Sequence, residues 1–150
     1  MNTNQPDPSG ESQYQRLLRQ LHEAGAALSD PALQDKAARL EAVSARIFAL
    51  AEADPGKEDQ LRKFTSYYLP TALKLLHTYA QLDGQGVDGE NITKTKQSIE
   101  RSLDLLVTAF ENQLDKLFQS DALDVSADIA ALEGMLNLDG LSGANDFTPQ

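Results

Sequence analysis

A proline inside a regular apolar stripe constrains this chain more than any other feature. Between Leu61 and Asn91, the residues Leu61, Phe64, Tyr68, Ala72, Leu75, Tyr79 and Leu82 recur at steps of three and four. That spacing lines one face of an amphipathic helix. Pro70 falls in the middle of it. It has no N–H to offer the carbonyl of Ser66, and its ring disfavours helical geometry at Leu69. A bend or interruption is therefore expected within a few residues of Pro70, and the freed carbonyl must find another donor.

The same periodicity extends through the rest of the chain. A first helix is expected from about Glu11 to Leu28, with Tyr14, Leu17, Leu18, Leu21 and Leu28 on one side. Asp30-Pro31 and Asp54-Pro55 are repeated helix-start signals, an N-capping aspartate before a proline at the first helical position. The first of them opens a second helix carrying Leu33, Ala37, Leu40, Val43, Ile47 and Leu50, and the second opens the bent third helix. Gly84, Gly86 and Gly89 mark the next connection. Asp88 or Asn91 then caps a fourth helix to about Gln119, with Ile92, Ile99, Leu103, Leu106, Phe110, Leu114 and Leu117 as its seam. The run QSDALDVSAD reads as a break. Asp124 or Ser126 would cap a short C-terminal helix whose buried face is Val125, Ile129, Leu132 and Leu136, stopping near Gly140. No strand-like alternation occurs. The expected fold is all-α, an elongated bundle of about five helices. Its single helical domain covers 11–141, between disordered tails at 1–10 and 142–150.

Composition removes several function classes. The 150 residues include no cysteine, so disulfides, thiolate metal sites and cysteine nucleophiles are out. The net charge is −10. Acids dominate after Ser102, whereas Leu61–Arg101 holds six bases against four acids. Without clustered Lys and Arg there is no footprint for nucleic acid. No apolar run approaches the roughly 20 residues of a membrane span, and the polar start is not a signal peptide. No integral membrane segment is expected, and the default compartment is the cytoplasm.

No catalytic constellation emerges from the motifs. The chain lacks a P-loop and a G-x-S-x-G turn. Its two histidines, His22 and His77, lie in different helices and match no metal-ligand spacing. Asp121, Asp124 and Asp128 are the best metal candidates, since Mg²⁺ and Ca²⁺ take carboxylate oxygens, but helix capping already explains these residue types. Catalytic residues, cofactors and bound metal are each expected to be none.

Several blocks carry a family resemblance: Arg62-Lys63-Phe64, Tyr67-Tyr68-Leu69-Pro70-Thr71, Leu73-Lys74-Leu75-Leu76, Gly89-Glu90-Asn91-Ile92 and Asp121–Ile129. Their order and spacing, over about Leu33 to Leu141, resemble the bacterial 5-bromo-4-chloroindolyl phosphate hydrolysis proteins, or XpaC-like proteins. The family name implies hydrolysis of an indolyl phosphate ester. The resemblance also implies an association with helical toxic-anion (tellurite) resistance proteins, and so a role as a non-catalytic interaction module. The alternatives are a phosphatase-type hydrolase and an adaptor peripheral to the membrane, the latter using the bases of helices three and four. From the residues themselves, apolar side chains on more than one face of those helices point to an interface, either with a helical partner or in a homo-oligomer. The expected interface comprises Tyr67, Tyr68, Leu69, Leu73, Leu76, Val107 and Phe118.

Overall fold

The computed structural model describes residues 10–86 and 88–140, most of which are helical, with no strand among them. Helix α1 spans Gln13–Ala26, α2 Pro31–Ala53, α3 Leu69–Asp83, α4 Glu90–Leu117 and α5 Gln119–Leu138. Residues to Leu114 form one compact unit, and those from Asp115 form a second. The expected tails, apart from Gly10, lie outside the described residues.

Local chemistry sets the helix starts. Ser12 and Gln15 close a reciprocal capping box on α1, each side chain accepting from the other's backbone N–H. Asp30 caps α2 by accepting from the Ala32 N–H at 2.9 Å, with Pro31 in the first turn. Asp54 accepts from the Gly56 N–H at 3.1 Å and opens a 3₁₀ segment, Pro55–Leu61. Both Asp-Pro signals thus act as the sequence implies.

The proline is absorbed by a π-turn. Phe64–Tyr68 is a short π-helix in which the Leu69 N–H reaches back five residues to the Phe64 carbonyl, and α3 follows with Pro70 in its first turn. A π-turn fits one additional residue into the helix, and a proline at its exit has one less N–H to leave unpaired. Preceding carbonyls gain side-chain donors: the Thr65 hydroxyl donates to the Leu61 carbonyl at 3.1 Å, and the Ser66 hydroxyl to the Arg62 carbonyl. The joined helix bends by 38°.

That additional residue moves the buried face. The buried positions run Leu61, Phe64, Leu69, Ala72, Leu76, Tyr79, with a step of five between Phe64 and Leu69 where an unbroken helix would step by three or four. Leu69 and Leu76, expected on an exposed second row, are consequently core residues. Tyr68 and Leu75, expected on the main stripe, are only half-buried. The π-turn rotates everything after it by about one residue, roughly 100° of helix.

The core of the first unit is organised by a chain of rings. Tyr14 of α1 stacks on Phe48 of α2 with ring centres 4.3 Å apart. Phe48 meets Phe64 edge to face at 5.8 Å, and Phe64 meets Phe110 of α4 at 4.8 Å. One aromatic line therefore ties together α1, α2, the π-turn and α4, in geometries that add to area burial. Phe48 was not part of the expected α2 stripe, yet it is buried beside Ile47. Ion pairs Lys36–Asp104 at 2.9 Å and Arg39–Glu111 at 2.6 Å run between the surfaces of α2 and α4. Helices α1 and α2 approach so closely at Gly25 that an added Cβ would lie 2.9 Å from the Ala37 Cβ.

The second unit departs from expectation. Helix α5 begins at Gln119, directly after Phe118, so Asp124 and Ser126 lie inside it rather than capping it. The stretch holds no proline, and its Ala and Leu residues favour continuing the helix. The result is longer than the short helix expected.

Candidate functional site

Helix α5 has no buried residue, and this sets it apart from α1, α2 and α3. Val125, Ile129 and Leu132 are 54%, 50% and 56% exposed, and Leu136 is half-buried. The sequence pattern assigns this face to the core, but in the structure it is exposed. Phe118, Ala122, Val125, Ile129, Leu132 and Leu136 alternate at steps of four and three, the a/d seam of a heptad repeat. In a coiled coil such a seam inserts into a facing helix, whereas here it is exposed. A groove of about 470 Å³ lies at the start of the helix, where Phe118, Ala122 and Leu123 offer apolar walls and Lys116, Gln119 and Ser126 polar ones.

The flanks of the seam are acidic. Asp121, Asp124, Asp128 and Glu133 are the charged residues of α5, which has no Lys or Arg. Asp121 lies in the first turn, where a negative charge suits the helix dipole. As a metal site the aspartates fare poorly. Asp121 and Asp128 are seven residues apart on one helix, which puts their Cα atoms about 10 Å apart along the axis. Among the described residues, no three of His, Cys, Asp and Glu form a group able to hold a metal ion.

The expected interface on helices three and four is only partly surface. Tyr67 is 59% exposed and Phe118 46%, while Tyr68, Leu73 and Val107 are half-buried. Tyr67 and Tyr68 meet edge to face at 5.6 Å beside the π-turn, and the Lys63 ammonium lies 5.7 Å from the centre of the Tyr68 ring. Leu69 and Leu76 are excluded, being fully buried. Leu105, which the pattern did not single out, is largely exposed on α4.

The polar groups of the first unit are engaged locally. The Tyr79 hydroxyl donates to Glu100 at 2.9 Å, and its pKa is raised by burial, then by that hydrogen bond. Asp83 accepts from Lys96 at 2.9 Å and from the Ser29 hydroxyl at 2.8 Å, which hold its pKa below the ordinary carboxylate value. These bonds join the α1–α2 link, the end of α3 and the start of α4. His22 faces Glu41 at 2.9 Å across α1 and α2, while His77 is exposed on α3. Three of the bases between Leu61 and Arg101 have acidic neighbours, Arg62 with Asp59, Lys94 with Glu90 and Lys96 with Asp83.

This is a helical protein whose most distinctive surface is an apolar, acid-flanked helix face. Residues 12–132 match the model of the family described as 5-bromo-4-chloroindolyl phosphate hydrolysis protein, and the chain belongs to that family. No curated protein and no solved structure matches it significantly. Among the described residues, no helix is long and apolar enough to cross a membrane.

Proposed function

We propose that the chain is a non-catalytic helical interaction module in a bacterial stress or toxic-anion (tellurite) resistance system, and that it binds a helical protein partner. The observation that carries this reading is the exposed seam of α5, centred on Val125, Ile129 and Leu132. These side chains are already about half covered, so a partner that buries the remainder gains roughly half of the 1.5–3 kcal/mol of a full burial, about 1–1.5 kcal/mol for each. A partner helix seated on the seam recovers that free energy.

A second reading, a hydrolase of indolyl phosphate esters, is favoured by the family's description. One experiment separates the two. The full chain and its Leu132→Asp variant are used to capture partners from native lysate after crosslinking, and both are assayed for release of the indolyl product. The interaction reading expects one identified helical protein, lost with Leu132→Asp, and no turnover above background. Turnover that follows the protein through successive columns, with no capture dependent on Leu132, sinks it in favour of the hydrolase.

A further inference from the structure

Building on the interaction reading, we infer that the partner of α5 is an amphipathic helix whose apolar stripe is flanked by Lys and Arg. The inference rests on charge complementarity along the exposed seam. With Ala122, Ile129 and Leu136 at the a positions and Val125 and Leu132 at d, Asp128 takes a g position and Glu133 an e position. Residues at e and g face the partner across the seam and set its identity and orientation. Asp124 adds a third carboxylate one turn before Asp128, and α5 supplies no cation to offset them.

A second copy of the chain is a poor occupant. Paired in parallel, the e and g contacts would bring Asp128 of one helix against Glu133 of the other. Paired antiparallel, g faces g and e faces e, which sets Asp128 against Asp128 or Glu133 against Glu133 in some registers and in the others leaves the carboxylates facing Ser126 or Met135, with no cation to pair them. Like charges placed opposite one another across an interface oppose association. An anionic membrane surface is disfavoured for the same reason. A helix with Lys or Arg at its own e and g positions satisfies the apolar seam and the carboxylates together.

The test uses two fluorescently labelled synthetic helical peptides with the same Ile/Leu seam, one with Lys and one with Glu at e and g. Each is titrated against the full chain by anisotropy, at about 0.02 M and about 0.5 M salt, conditions between which screening becomes strong. The Lys peptide should bind at least about tenfold tighter, and salt should narrow the gap. Leu132→Asp should abolish its binding with helical content unchanged, which separates docking on the seam from general attraction to an acidic protein. The double change Asp128→Lys, Glu133→Lys should reverse the preference. Equal affinity for the two peptides, no binding of either, or binding untouched by Leu132→Asp overturns the inference. So does a chain dimer in sedimentation equilibrium that Leu132→Asp dissociates. If the inference fails in these assays while lysate capture still depends on Leu132, the interaction reading survives with a differently charged partner.

Discussion

Phe64 should be the least replaceable side chain in the first unit. It is fully buried within the π-turn and is the only ring in the aromatic line that touches both Phe48 and Phe110 edge to face. Phe64→Leu keeps most of the volume but loses both ring contacts, each worth about 0.5–1.5 kcal/mol, for an expected loss of about 1–3 kcal/mol. Phe64→Ala removes the ring altogether and should cost about 3–5 kcal/mol. Against a domain stability of about 5–15 kcal/mol, that leaves the unit marginal. Urea unfolding followed by far-ultraviolet circular dichroism reads the effect. With a slope of roughly 2 kcal/mol/M, the Ala variant should lose on the order of 2 M in its midpoint. Phe118→Ala, at a half-exposed ring, should shift stability by no more than about 0.5 kcal/mol. A loss below about 1 kcal/mol for Phe64→Ala at unchanged slope would refute the account of the π-turn as the point where the core is assembled.

Three further outcomes follow from the same structure. Pro70→Ala restores an N–H, but converting the π-turn to regular helix would swing Leu69, Ala72 and Leu76 out of the core. The bend should therefore persist, with stability within about 1 kcal/mol of the parent, and a straightened helix in a crystal structure of the variant would contradict this. Tyr79 and Asp83 give opposite pH dependences. Tyr79 keeps its proton in the folded state to higher pH than in the unfolded chain, so its contribution is intact below about pH 10 and declines as pH rises further. Asp83 has a depressed folded pKa, so its contribution is present above about pH 4 and is lost as pH falls through that lower value. Melting temperatures of Tyr79→Phe and Asp83→Asn against the parent should show these windows, and a pH-independent difference for either variant would remove the group from the linkage. Amide hydrogens of α5, a helix with no buried residue, should exchange orders of magnitude faster than those around Leu40 and Ile47 in α2. Equal protection of the two helices would show that α5 is covered.

The sequence by itself determined which segments are helical and where most of them begin. Asp30-Pro31 and Asp54-Pro55 act through contacts two residues away, so their chemistry is legible without a fold. Pro70 likewise announced a disruption through its missing N–H. The form of that disruption was decided by tertiary structure, because a bulge, a kink and a break all relieve the same proline. Burying Phe64 between Phe48 and Phe110 and also Leu69 and Leu76 selects the π-turn, and with it which of two adjacent apolar rows becomes core. The exposure of the α5 face was hidden for a related reason. Val125, Ile129 and Leu132 carry the pattern of a buried stripe, and periodicity reports only that a face is apolar. Whether such a face meets its own chain, a partner or water depends on what the fold brings against it.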